Sequence, residues 1–232
     1  MKVKICGMTR PKDVQICEDA GADFIGFINI KRSKRFVELE RINELKHFMK
    51  NKDRAVLVME PENAEEVLFA LRKTGIKILQ LHSLSPYEIK YLKWRDCFKI
   101  SPLEKDLKIV RAVGISDKLS EDKKEEIKEF ARVCDAIIFD YEVEGKSGGT
   151  GRQIPIETAV KASKIAKNIK KSIKTVLAGG MSTERIKGYE KILDKYFDYV
   201  DVNSGVEDAP GIKNPLKIKE LFGIKGHLSI KY

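Results

Sequence analysis

Cys6 closes the run Val3-Lys4-Ile5 and is followed by Gly7, so a thiol stands where an extended segment gives way to a loop. As a thiolate it can serve as base or nucleophile if its pKa falls from about 8.5; as a thiol it is a small buried hydrophobe. Asp140 follows four apolar residues, Ala136 to Phe139. A carboxyl there is either partly desolvated, which raises its pKa as a general acid requires, or a cap for the next loop. Arg35 ends the basic segment Lys31-Arg32-Ser33-Lys34-Arg35, which reads as a solvated surface or as the holder of a bidentate carboxylate clamp. Asp201 faces a ligand hydroxyl or acts as a structural acceptor. His82, at the end of Gln80-Leu81-His82, is a proton carrier or a hydrogen-bonded structural residue.

Glycines follow three of the later apolar runs. Gly179-Gly180 and Ser204-Gly205 come directly after two of them, and Gly148-Gly149-Thr150-Gly151 lies in a longer loop. Glycine lets backbone N–H groups approach an anion closely, and a helix N-terminus adds a favourable dipole. A phosphate ester on Gly179, Gly180, Ser204 and Gly205 is the ligand implied, with tight strand-to-helix turns as the bland reading. The longer glycine loop has the composition of a lid.

These residues need a scaffold that gathers strand ends. Short β-branched runs at 3–6, 23–28, 55–59, 77–81, 109–113, 135–140, 174–178 and 199–203 alternate with amphipathic stretches near 11–21, 39–50, 63–73, 86–93, 121–132, 156–168, 183–193 and 215–222. Strands joined by helical crossovers run parallel, and eight such units in one chain predict a closed (β/α)8 TIM barrel of the α/β class. The competing open doubly wound sheet is expected to carry GxGxxG or GxxxxGK[ST] after its first strand, and neither occurs. One domain over 1–224 is expected, followed by a short basic tail at 225–232. In such barrels the chemistry sits where strands end, which is where Cys6, Asp140, Asp201 and the glycine pairs fall.

Composition narrows the partners. The 232 residues carry 45 Lys+Arg against 35 Asp+Glu, a net charge of +10, but the signs are interspersed and Trp94 and the tyrosines do not alternate with basic residues as a base-stacking surface requires. No nucleic-acid partner is expected, and no membrane span, since no apolar run approaches about 18 residues. Cys6, Cys17, Cys97 and Cys134 form no CxxC and the three histidines no zinc signature, so neither disulfide nor metal is expected. The chain reads as cytoplasmic, needing no cofactor, and as a monomer or homodimer acting on a small phosphorylated substrate.

In order along the chain, Lys4-Ile5-Cys6-Gly7-Met8-Thr9, Gly21-Ala22-Asp23, Ser33-Lys34-Arg35, Gln80-Leu81-His82, Gly148-Gly149-Thr150-Gly151, Ala178-Gly179-Gly180 and Val200-Asp201-Val202-Asn203-Ser204-Gly205-Val206-Glu207 resemble the phosphoribosylanthranilate isomerases of tryptophan biosynthesis. That resemblance implies a cofactor-free Amadori rearrangement on a (β/α)8 barrel, with Cys6 as general base and Asp140 as general acid. It also implies that Arg35 holds the anthranilate carboxylate, that Asp201 contacts the sugar, and that the phosphate rests near Gly179, Gly180, Ser204 and Gly205. The sequence departs from the family's pattern at Tyr141, Gln153-Ile154-Pro155 and Met181-Ser182-Thr183, none of which is the acid or the base. Other phosphosugar barrels share the phosphate loops, but they need metal ligands or a lysine base at the remaining strand ends.

Overall fold

Parallel pairing runs around a complete ring in the computed structural model, which describes residues 1–97, 105–143, 146–147 and 152–228, with side chains left out of the description at 96–97, 146–147 and 224–228. The ring strands are β1 (Lys2–Ile5), β2 (Phe24–Asn29), β3 (Ala55–Met59), β4 (Ile78–Leu81), β5 (Lys108–Ile115), β6 (Ala136–Val143), β8 (Lys174–Leu177) and β9 (Tyr199–Val202). Each pairs with its neighbour in that order, and β1 pairs with β9 through Lys4 opposite Asp201, so the barrel is closed. Between and after the strands run α1 (Pro11–Asp19), α2 (Leu39–Lys46), α3 (Ala64–Thr74), α4 (Pro86–Cys97), α5 (Glu121–Val133), α6 (Ile156–Ile169), α7 (Thr183–Tyr196) and α8 (Pro215–Leu228).

Local signals start the helices. Asn63, Ser120 and Ser182 accept from the backbone N–H three residues on, satisfying donors that the first turns of α3, α5 and α7 leave open, and Pro11 opens α1 where a missing N–H costs nothing. Gly75 ends α3 at φ +63°, a left-handed cap that favours glycine.

Alternation along each strand divides the apolar residues. One set, including Ile5, Ile25, Leu57, Leu79, Ile137 and Leu177, packs outward under the helices in a single large core. The other set lies inside the ring in two smaller groups, Cys6, Ile28, Val56 and Val58 against Ala112, Ile138, Val176 and Ala178. A polar layer of Lys4, Gln80 and Asp201 also faces inward, and all three are buried.

Three boundaries differ from the periodic pattern. β5 runs on to Ile115 and β6 to Val143, because the two strands stay in register past Gly114 opposite Asp140, and β6 then folds back on the two-residue strand β7 (Lys146–Ser147). α8 continues to Leu228, so the segment read as a tail from 225 begins inside a helix, and 229–232 lie outside the described residues. Trp94 is half exposed on α4, where it stacks on Tyr91. The glycine loop Gly148-Gly149-Thr150-Gly151 and most of the polar stretch before β5 also lie outside the described residues.

Candidate active site

A cavity of about 420 Å³ opens at the C-terminal ends of the strands, within the size range of small-molecule sites. Cys6, Arg35, Asp140, Gly179, Gly180, Asp201 and Ser204 all line it. The barrel thus brings together residues as far apart in the chain as 6 and 204, supplied by five of its strands (β1, β2, β6, β8 and β9) or the segments that follow them.

Asp140 sits on β6 where the strand has left its apolar stretch. Burial pushes its carboxyl up to about 6, even though Oδ1 accepts the Tyr141 N–H at 2.7 Å, a bond that favours the charged form. Cys6 follows β1 with its backbone N–H on Val202 O, and with β8 and β9 between it and β6. Burial raises its thiol above the ordinary value, while the Lys4 and Lys213 ammonium groups oppose that rise. The sequence required a lowered pKa for a reactive thiol; the folded chain raises it, because the sulfur is enclosed. Cys17 and Cys134 are wholly buried and pushed up to about 12, the behaviour of inert core thiols.

Arg35 reaches the cavity, but two of its nitrogens are held. Nε and Nη2 donate to the Glu207 carboxylate at 3.0 and 2.5 Å, and Nη1 has no acceptor among the described residues. Lys213, fully enclosed, donates to the same carboxylate at 2.8 Å and to Asn203. Gly7, at φ +80°, makes room for this cluster, since a Cβ there would lie 2.6 Å from Asn203 Oδ1 and 2.7 Å from Arg35 Cδ.

Asp201 Oδ2 accepts from Lys4 at 2.9 Å, whereas its buried Oδ1 has no protein partner. A buried, unmatched carboxylate oxygen is costly and is the acceptor that a ligand hydroxyl would satisfy. His82 also lines the cavity, where burial and the nearby Arg111 push it down to about 4, so it is a neutral imidazole at neutral pH, its Nε2 3.1 Å from Gln80 Nε2.

The carbonyls of Gly179 and Gly180 are tied to Arg185 Nη1 and Gln153 Nε2. Their N–H groups, and those of Ser204 and Gly205, meet no acceptor among the described residues. These four donors lie beside the N-terminus of α7 and the short 3-10 turn Ser204–Val206, an arrangement suited to a phosphate. At Gly205 a Cβ would meet Met181 O at 2.1 Å, so its glycine character lets the turn press against the loop before α7. Among the described residues no cluster of His, Cys, Asp and Glu side chains is arranged to hold a metal ion.

Sequence reading assigned no role to Lys4, Gln80, Asn203, Glu207 or Lys213. Lys4 alone carried a signal, as a charged residue on the same strand face as Cys6, where apolar residues are the rule.

The sequence profile described as N-(5'phosphoribosyl)anthranilate (PRA) isomerase matches residues 3–223. An N-(5'-phosphoribosyl)anthranilate isomerase of Methanothermobacter marburgensis is 33% identical over 230 residues, covering 95% of this chain and 92% of the relative. The crystal structure of the Thermus thermophilus phosphoribosyl anthranilate isomerase superposes with a TM-score of 0.77 at 24% identity, covering 98% of this chain and 100% of that one. A second solved phosphoribosyl anthranilate isomerase, in complex with reduced 1-(o-carboxyphenylamino)-1-deoxyribulose 5-phosphate, superposes with a TM-score of 0.72 at 25% identity, covering 97% and 99%.

Proposed function

Since this chain belongs to the N-(5'-phosphoribosyl)anthranilate isomerase family, we propose that Cys6 is the general base and Asp140 the general acid of its reaction. The chain is an isomerase of tryptophan biosynthesis that converts N-(5-phosphoribosyl)anthranilate to 1-(2-carboxyphenylamino)-1-deoxyribulose 5-phosphate. The observation that carries the assignment is the desolvated carboxyl of Asp140 sharing one cavity with the Cys6 sulfur.

The substrate is an aminal closed in a furanose. Asp140 gives its proton to the ring oxygen, the C1–O bond breaks, and the nitrogen lone pair forms a protonated Schiff base. The Cys6 thiolate then takes the C2 proton, and the electron pair of that C–H bond flows into the Schiff base to leave an enolamine. Tautomerisation, with a proton gained at C1 and lost from the 2-hydroxyl, gives the ketose. Nothing is oxidised or reduced overall. A positioned acid and base each contribute roughly 10^2 to 10^4-fold.

The phosphate rests on the N–H groups of Gly179, Gly180, Ser204 and Gly205, and the sugar hydroxyl meets the unmatched Asp201 Oδ1. The anthranilate carboxylate takes Arg35 Nη1, the nitrogen that Glu207 leaves open. The barrel carries the chemistry, residues 225–232 stand outside it, and the enzyme works in the cytoplasm as a monomer or homodimer without cofactor, metal or nucleic acid.

Following the fluorescence of freshly made phosphoribosylanthranilate tests the pair. Cys6→Ala and Asp140→Asn are each expected to lower kcat by about 10^2-fold or more with KM little changed, and Cys17→Ala to leave kcat near the wild-type value. Wild-type turnover by either of the first two variants would overturn the acid and base assignment.

A further inference from the structure

We propose that Lys4 is a positioning residue for this reaction, holding a positive charge beneath Cys6 so that the thiolate can form inside the closed barrel. The inference rests on the reading of Cys6 as the base and adds the group that makes that base usable.

Lys4 is on β1 and Cys6 is the residue just past its end, still paired through its backbone N–H to Val202 O, so the two-residue spacing brings both side chains into the barrel on the same face. Gly26 on the adjacent β2 has no side chain to separate them. A Cβ there would lie 2.7 Å from Cys6 Sγ and 3.1 Å from Lys4 Cε, so thiol and lysine stem flank one point. The lysine stem is fixed from its other end, with Nζ donating to Gln80 Oε1 and to Asp201 Oδ2, each at 2.9 Å. All of these groups are buried.

The charges facing the sulfur are Lys4 on its own strand, Asp201 on β9 and Lys213 on the strand β11 (Ile212–Lys213). Asp201 opposes a thiolate, and burial opposes it more. Lys213 belongs to the cluster with Glu207 and Asn203 and pulls on the sulfur less than Lys4 does. Lys4 is the cation that both cancels Asp201 and attracts the sulfur. Although burial pulls its own pKa down, Asp201 and Cys6 push it up to a net rise, so Lys4 stays charged at neutral pH. A filler residue would need none of this; an apolar side chain of the same length would occupy the space with no burial cost for a charge.

The test is the pH dependence of Cys6 carbamidomethylation by iodoacetamide, resolved by site with mass spectrometry, alongside kcat and KM in wild type, Lys4→Met and Lys4→Gln. The glutamine amide still donates to Asp201, which keeps a folded variant available if methionine strands that carboxylate. Loss of the ammonium should move the Cys6 midpoint up by at least one pH unit. It should also lower kcat at neutral pH by about tenfold or more, with KM within a few-fold and activity recovering as pH rises. A folded Lys4→Gln enzyme whose Cys6 midpoint has not moved overturns the role of Lys4, whatever its activity. Wild-type turnover by Cys6→Ala is read on a different variant; it overturns the base reading and with it the catalytic half of this proposal.

Discussion

At the scale of single residues, the proposed acid and base are held in the protonation states opposite to those the proposal needs. Burial pushes Asp140 up to about 6 and raises Cys6 above its ordinary value, so the free enzyme at neutral pH is chiefly carboxylate and thiol, whereas the proposed mechanism uses carboxylic acid and thiolate. The population of the working form is then level between the two pKa values. Below about 6 the acid is saturated while the thiolate keeps declining; above the thiol pKa the reverse holds. The expected kcat/KM profile is therefore a plateau with an acid limb at about 6, and Asp140→Glu should shift that limb while leaving the alkaline one in place. An acid limb indifferent to Asp140→Glu would sink the assignment. The same burial has a cost in stability. Between the ordinary 3.8 and about 6 the unfolded chain releases a proton that folded Asp140 keeps, so stability falls as pH rises through that window, by about 2–3 kcal/mol for two units. Asp140→Asn should melt higher than wild type at pH 8 and show little gain at pH 4, a difference that calorimetry reads directly. Cys6, Asp140 and Asp201 could be picked from the sequence because each lies in or beside a recognisable apolar run, and Arg35 because it ends the basic segment after one. Their partners could not be: Glu207 lies 172 residues from Arg35 and Asp201 lies 197 from Lys4, and only barrel closure brings them within hydrogen-bond range.

At the scale of elements, the loops after β8 and β9 distribute two kinds of glycine effect. Gly179 has φ +75°, and a Cβ on it would lie 2.8 Å from Asp140 Oδ1 and 3.0 Å from Tyr141 N. Gly179→Ala therefore strains the backbone and displaces Asp140, the proposed acid, so kcat is expected to fall by at least tenfold. Gly205 has no such φ, and its obstacle is Met181 O on the loop leading into α7. Gly205→Ala is expected to push that loop and the phosphate donors apart, raising KM by tenfold or more while kcat changes less, and to weaken competition by inorganic phosphate. Steady-state kinetics on the two variants separates the effects; a kcat loss confined to Gly205→Ala would reverse the placement. The glycine pairs were legible as strand-to-helix turns at the barrel mouth, because they follow apolar runs directly. The division of labour between them was not, since it depends on which neighbouring backbone each one touches. Boundaries show the same limit. β6 was ended at Asp140 because a charge breaks the apolar pattern, yet pairing with β5 carries the strand on to Val143.

At the scale of the whole molecule, the inward polar layer divides the barrel into two halves with different duties. Above Lys4 and Gln80 lies the cavity with Cys6 and Asp140; below them a second space of about 440 Å³ opens among Phe24, Val56, Ile78, Ala136, Ile138 and Val176. Eight repeated units were enough to read a closed barrel from the sequence. The incomplete filling of its lower half was hidden, because strand tilt and register decide which small residues meet inside. Barrels of this kind keep chemistry at the C-terminal ends of their strands and stability at the N-terminal ends, so the two halves should respond to substitution independently. Ala136, at the start of β6, faces the lower space and is four residues from Asp140 along the same strand. Ala136→Ile adds three carbons there, at most about 2 kcal/mol at ~0.8 kcal/mol for each fully buried carbon, and roughly half that where the space opens to solvent. About 1 kcal/mol corresponds to a rise in Tm of ~2–4 °C for a chain of this size. The isoleucine enzyme is thus expected to melt a few degrees higher with kcat and KM within twofold of wild type. A lower Tm would mean that the lower strands cannot accept the added volume, and a changed kcat at unchanged Tm would mean that the Lys4 layer transmits packing from one half of the barrel to the other.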